Sequence, residues 1–347
     1  MSSLVNRMKS SLVVIASLLF LLMGIVSCKR NQYKAGVSSI RLNLEIKRLE
    51  KDLFQTDPDS IVSKVPFLKQ KYNGFLQLFS YVINTGDINN PGFGESLKAF
   101  CTDRQNNDVY ELTEKLYPDV EQIRIGLDGV FTRFLHYFPD KHIPAIYTCI
   151  TGFNNSIITG DSALGIGLDR YLGRDCKYYP GLEIYSYMAA RMTPDYIIPD
   201  CTYGWGASEW DFSSLKYQPE NVLAEMIHEG KLKYFEKCML PDAADELIFG
   251  FTSPQMKFCR NNEGRMWQYL VEHDLIFKTD QLLIKKLIGD APFTAFFSNE
   301  SPGRASVWLG FRIVESYMRK SPGVQLEELM KNTDIQTILE KARYNPK

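Results

Sequence analysis

Residues 219–240 read PENVLAEMIHEGKLKYFEKCML, and the spacing of their apolar side chains decides what kind of fold the chain can build. Leu223, Met226, Ile227, Gly230, Tyr234 and Phe235 recur at steps of three and four, which lines them along one stripe of an α-helix. On this reading Glu220, Lys231 and Lys237 face water, Pro219 sits in the first turn, where its missing N–H is unpaired in any case, and Pro241 ends the helix. The stretch also carries the chain's only His-Glu pair, His228-Glu229. A zinc-protease helix of the pattern H-E-x-x-H needs two His one turn apart to hold the metal and a Glu to activate water. Position 232 is Leu, so the pair predicts no metal, no cofactor and no catalytic residue.

Helical periodicity continues on both sides. It predicts helices over Pro58–Tyr72, Phe75–Asn84, Phe93–Cys101, Val109–Leu116 and Val120–Phe138 before this stretch. Glu183–Arg191, Pro194–Trp205, Pro254–Glu272, Asp280–Ile288, Pro302–Arg319, Leu326–Leu329 and Ile335–Ala342 complete the set. Thr193-Pro194, Ser253-Pro254 and Ser301-Pro302 each place a capping hydroxyl before a proline suited to the first helical position. Strand signals are few. Ile40, Leu42, Leu44 and Ile46 alternate with polar residues, and Ala145–Ile150, Ser156–Thr159 and Ala163–Asp169 are separated by the turn clusters Gly152-Phe153-Asn154-Asn155 and Gly160-Asp161-Ser162. The expected class is α+β, predominantly α-helical, with a small antiparallel sheet in the middle of the chain.

At the N-terminus Arg7 and Lys9 precede an apolar run, Leu12–Val26, the charged and hydrophobic regions of a secretory signal. The run is shorter than the roughly 20 apolar residues that cross a bilayer. It ends in Ile25-Val26-Ser27-Cys28, which resembles the bacterial lipoprotein box, whose Cys is acylated, with chains such as palmitate, and becomes the first residue of the mature protein. The expected organisation is a signal peptide over 1–27, a lipidated tether over 28–37 and one domain over 38–347. Behind Cys28 stand Lys29-Arg30-Asn31 with no acidic run, which resembles outer-membrane sorting without a surface-export tag. The expected location is the periplasmic face of the outer membrane, with Cys28 as the lipid attachment.

Forty Lys and Arg stand against 41 Asp and Glu with no basic patch, which argues against a nucleic-acid partner. Cys101, Cys149, Cys176, Cys201, Cys238 and Cys259 form no C-x-x-C pair, so neither a zinc knuckle nor a redox motif is present, and buried hydrophobes are the better reading of most of them. His136 and His142 are six apart, which suits neither one helical face nor a tight metal loop. Gly160-Asp161-Ser162 looks like a lipase nucleophile block but lies between strand signals, where it makes a turn. Gly165-Ile166-Gly167 lacks the third Gly and the following helix of a dinucleotide loop.

The blocks Gly167-Leu168-Asp169-Arg170-Tyr171-Leu172-Gly173, Met226–Lys231, Trp267–Glu272 and Ser301-Pro302-Gly303-Arg304, followed by Trp308, Gly310 and Tyr317-Met318, together resemble the gliding-motility lipoprotein family GldB from about the lipobox through most of the mature chain. The resemblance implies an outer-membrane lipoprotein needed for surface gliding, linked to the motility and secretion apparatus, and establishes no catalytic activity. More distantly, the order of elements is similar to a zinc-peptidase family with a sheet, an H-E-x-x-H helix and then a helix whose Glu-Gly supplies the third ligand. Glu229-Gly230 matches that third-ligand helix, while the metal helix falls near Pro194–Trp205, which contains no His and offers only Asp195, Asp200 and Cys201 as ligand types. This comparison implies a zincin-like fold whose metal site is lost.

His228, Glu229, Asp169, Arg304 and Arg312 are therefore the candidate residues of a structural or vestigial site. Arg304, Trp308 and Arg312 are four apart and share a helical face, with Glu315 a turn further on, so one Arg of that face can meet Glu229 in a two-pronged pair. The alternative is a solvated Glu229 supporting Lys233 at i+4. The leading functional expectation is a non-catalytic envelope lipoprotein that binds other motility and secretion proteins. The alternatives are a cell-envelope hydrolase with a degenerate zincin site and a periplasmic binder of a small ligand, since fold ancestry alone licenses no function.

Overall fold

Residues 32–34, 36 and 42–347 are described by the computed structural model. Cys28, the apolar run before it, and Ile40 and Arg41 of the expected opening strand lie outside the described residues. The alternating segment forms a short strand, β1 (Ile46–Arg48). Helices α1 (Leu49–Phe54), α2 (Ile61–Tyr72), α3 (Gly74–Val82), α4 (Phe93–Thr102), α5 (Arg104–Leu116) and α6 (Glu121–Tyr137) follow. Then come β2 (Ala145–Cys149), β3 (Ile157–Gly160) and β4 (Ala163–Gly167). The remainder is α7 (Ser186–Ala189), α8 (Ile197–Glu209), α9 (Phe212–Leu215), α10 (Val222–Met239), α11 (Asp245–Phe249), α12 (Ser253–Glu272), α13 (Gln281–Ile288), α14 (Ala305–Lys320), α15 (Leu326–Lys331) and α16 (Ile335–Ala342). Residues 42–347 belong to one compact unit.

The sheet is mixed rather than antiparallel. Its order is β1-β2-β4-β3, with β1 and β4 both parallel to β2 and only the β3–β4 hairpin antiparallel. Short turns in the sequence suggest neighbours in space, but the 150–156 loop carries the chain past one strand position, so β4 and not β3 docks on β2. Asp169, just beyond β4, holds that loop: its carboxylate accepts the backbone N–H of Thr151 (3.1 Å) and of Phe153 (2.6 Å). β1 is pinned by a buried carboxylate, since Glu50 pairs with Arg48 (2.6 Å) and accepts the hydroxyl of Thr148 on β2 (2.8 Å). Every residue of β4 is buried, as expected of a strand covered on both faces. Phe75 stacks on Tyr147 of β2 with ring centroids 4.2 Å apart and lies so close to Gly165 that a Cβ there would stand 2.4 Å from its ring.

Several helix starts differ from the sequence reading. Val222 begins α10, capped by the Asn221 side chain, which accepts from the Ala224 N–H (2.9 Å), so Pro219 lies outside the helix. Ser253-Pro254 opens α12, but its cap is Thr252, in a reciprocal capping box with Gln255. Thr193-Pro194 opens a 3-10 turn without a side-chain cap, and Ser301-Pro302 precedes a turn that delays α14 to Ala305. The helix expected over Glu183–Arg191 shrinks to α7, because Glu183 takes the left-handed conformation (φ 54°) and breaks the run.

The largest correction concerns α10. Lys231 is 0% exposed, and Lys233, Glu236 and Lys237 are buried with it, although periodicity turns Lys231 and Lys237 to water. One flank meets an aromatic cluster of α6 and α8, in which Trp210 lies 4.8 Å from Phe138 and 5.3 Å from Phe235. Such ring pairs are worth about 0.5–1.5 kcal/mol each beyond burial. The opposite flank meets α14, backbone against backbone. A Cβ on Gly230 would stand 2.3 Å from the Gly310 carbonyl carbon, and one on Gly310 would stand 1.8 Å from the Met226 carbonyl oxygen. With both sides covered, each charged group is satisfied internally: Lys233 by Glu236 (2.6 Å), Lys237 by Asp245 (2.8 Å), and Lys231 by the carbonyls of Met330 (3.0 Å) and Asn332 (2.8 Å).

Gly310→Ala is expected to destabilise the protein by about 3 kcal/mol or more, the upper end of overpacking costs, because the obstructing atoms are backbone and cannot rotate away. Gly74→Ala, where a Cβ meets nothing within 4 Å, serves as the control. Urea unfolding of both variants checks this, and equal midpoints would remove the close crossing as a constraint.

Candidate functional site

Two side chains from outside α10 converge on Glu229. Its carboxylate receives Arg304 Nη2 at 2.6 Å and the Tyr203 hydroxyl at 2.9 and 3.1 Å. Both charged side chains are largely covered, Glu229 being 13% and Arg304 19% exposed. Arg304 lies at the entrance of α14, with its Nε donating to the Ile288 carbonyl (3.1 Å) and its guanidinium 5.8 Å over the Tyr203 ring. The pair is thus single-pronged on the carboxylate, because the second edge of the fork is spent on a backbone carbonyl. Burial works against the Arg304 charge, but the Glu229 carboxylate and Tyr203 hold its pKa above the ordinary value. Burial, with Glu229 adding to it, raises the Tyr203 phenol, so it stays protonated and donates. Lys233 does not support Glu229; it donates to Glu236 and to the Ile248 carbonyl, with its amine 4.6 Å over the Tyr203 ring.

The other expected residues are not brought together here. Arg312 pairs with Glu263 (3.1 Å) and with Glu315, and lies over the Trp308 ring. Asp169 is consumed by the loop after β2, and burial raises its pKa against the hydrogen bonds that lower it. His228 is buried beside Phe212 and Tyr217, with Nδ1 3.2 Å from the Tyr217 hydroxyl. Burial and, second, the Lys231 amine lower its pKa to about 4, so it is a neutral core imidazole. Asp200 accepts the Tyr171 hydroxyl (2.8 Å), Cys201 is buried and Asp195 lines a cleft. His136 and His142 are exposed, and the six described cysteines are free, all but Cys176 buried. Among the described residues no group of three or more His, Cys, Asp or Glu is placed to hold a metal ion.

Two residues carry no signal of their place in the sequence. Tyr203 lies on a helix whose periodicity does not mark it. Lys231 reads as solvent-facing by periodicity, yet its amine lies 5.0 Å over the Tyr217 ring, and burial lowers its pKa to about 7. Arg304 also lines a cleft of about 490 Å³ bounded by α7, the start of α8, α11, the start of α12 and the segment before α14.

The family model of the gliding motility protein GldB matches residues 30–346. No curated protein and no solved structure matches the chain.

Glu229→Ala is expected to cost about 3 kcal/mol by stranding Arg304, the low end for breaking a buried pair because both partners keep some exposure. Tyr203→Phe should cost about 1 kcal/mol. Denaturant melts of both variants test this ranking. A second expectation follows from His228, whose folded pKa lies below its unfolded value of about 6.5. Between pH 6.5 and 4 the unfolded chain binds the proton and the folded one does not, so stability falls as pH falls through that window. His228→Gln should remove up to about 3 kcal/mol of that fall and leave stability above pH 7 with no pH dependence from this site. Melting temperatures of both proteins at pH 7, 5.5 and 4 measure it.

Proposed function

The chain belongs to the family of the gliding motility protein GldB, and from that premise we propose that it acts without catalysis, as an envelope lipoprotein held by Cys28 on the periplasmic face of the outer membrane and engaging other motility and secretion proteins. The observation that carries this reading is the state of Glu229. A general base or metal ligand needs a free lone pair directed at its target, and this carboxylate is committed to Arg304 and Tyr203. His228 is a poor base in its place, being buried, with its pKa lowered to about 4 and its Nδ1 against a tyrosine hydroxyl.

The same reading treats the fold as a zincin relative in which a guanidinium occupies the position of the lost metal. What supports it is local: α8, where a zinc peptidase of that order would carry its two His, contributes the Tyr203 hydroxyl to the carboxylate on α10. Attachment rests on the sequence Ile25-Val26-Ser27-Cys28. Cys28→Ser is expected to release the protein from the outer-membrane fraction and to abolish gliding, whereas Glu229→Gln at normal protein level should leave gliding intact. Fractionation and spreading assays test both halves. Loss of gliding in Glu229→Gln with unchanged abundance would restore a catalytic reading, and retention of the Cys28→Ser protein in the membrane would remove the anchor.

A further inference from the structure

The block Ser301-Pro302-Gly303-Arg304 has a geometry that pairing with Glu229 alone does not require. Arg304 adopts φ 63°, a left-handed conformation that non-glycine residues rarely take and that recurs at ligand-holding positions. The turn is fixed from both sides. The Thr294 hydroxyl donates to the Pro302 carbonyl (2.8 Å) and accepts the Ala305 N–H (3.0 Å). Gly303 lies so near the neighbouring strand of chain that a Cβ would stand 1.9 Å from the Ala291 carbonyl oxygen. These contacts hold the guanidinium: its rear edge is tied to Ile288 and Glu229, Tyr203 supports its face, and Arg304, with its side chain 19% exposed, belongs to the wall of the 490 Å³ cleft. A cation positioned in this way binds a carboxylate without ordering itself first.

The rest of the cleft states what else the ligand carries. Its volume lies within the ordinary range of ligand sites. Tyr187, Tyr196, Phe249 and Phe251 give it aromatic walls. Arg174, Arg191 and Arg304 are balanced by Asp195, Glu246 and Asp290, and Arg191 is already paired with Asp290 (3.1 Å). That balance opposes a polyanion such as a nucleotide polyphosphate. It suits a ligand bringing one carboxylate together with apolar side chains and the N–H and C=O groups of a main chain.

We propose that the cleft receives a short peptide segment of a partner protein, with one carboxylate of that segment, at its C-terminus or on an Asp or Glu, seated on Arg304. The inference rests on the protein-contact function above and assigns that contact a place.

The test selects a library of random eight-residue peptides with free C-termini against the full chain in detergent and measures the enriched peptides by fluorescence polarisation. Ala190→Trp, which fills the cleft wall away from the Glu229 pair, should abolish binding, and Arg304→Lys, which keeps the charge but not the fork, should weaken it at least tenfold. A tenfold loss on amidating the peptide places the carboxylate at the C-terminus. The same loss on replacing its Asp or Glu by Asn or Gln, with amidation silent, places it on a side chain. No enrichment over a selection against Ala190→Trp, equal binding to that variant, or indifference to both peptide changes would overturn the proposal. If the full chain cross-links to an envelope partner while no peptide enriches, this inference fails and the wider reading stands; if peptides enrich but no partner is captured in cells, the wider reading is the one in doubt.

Discussion

Two glycines facing each other determine much of this molecule. Gly230 and Gly310 let the backbones of α10 and α14 touch, and the distances that a Cβ would reach show that no other residue fits at either place. A crossing this close brings the entrance of α14 alongside the middle of α10, which is what carries Arg304 to within 2.6 Å of Glu229. Protein interiors tolerate little change in such contacts, since packing is near crystal density. The ion pair, the tyrosine beneath it and the turn that aims the arginine thus follow from one steric allowance.

The same crossing explains why α10 carries charges in its core. A helix covered on all sides ordinarily becomes apolar all round. Here Lys231, Lys233, Glu236 and Lys237 are buried yet satisfied, three by carboxylate or amine partners within the helix or beside it and Lys231 by two backbone carbonyls near the end of α15. A lysine amine capping carbonyls is a tie between distant parts of the chain, here residue 231 and residues 330–332. It ties the end of α15 to α10, and removing one member of such a set leaves the others unpaired at a cost of about 1–3 kcal/mol.

Function reads through these constraints. A family of motility proteins is compatible with many chemistries, and fold alone does not choose among them. The choice comes from the use made of each of these polar side chains: Asp169 serves a loop, His228 serves the core, Glu229 serves an ion pair, and Arg304 both completes that pair and lines a cleft. A chain whose charged residues are so fully engaged internally has its remaining chemistry at its surface and in that cleft.

The amino-acid sequence by itself determined where the longer helices run, because a period of 3.6 is a local property that survives without knowledge of partners, but not the short α1, α9 and α11, which hold too few turns to show a period. It also determined that His228-Glu229 lacks its second His, and it brought Glu229 and the Arg304–Arg312 face into the same question. Only the tertiary structure decided the rest. Arg304 and not Arg312 meets Glu229, because the left-handed turn before α14 sets the direction of the first guanidinium while Glu263 and Glu315 hold the second. β4 rather than β3 docks on β2 because Asp169 ties down the loop between them, a bond across 16 to 18 positions. Lys231 is inside because elements nearly a hundred residues away supply its acceptors. For β4 and for Lys231 the deciding atom lies far off in the chain, and for Arg304 it is a backbone turn, and amphipathic periodicity carries information about neither.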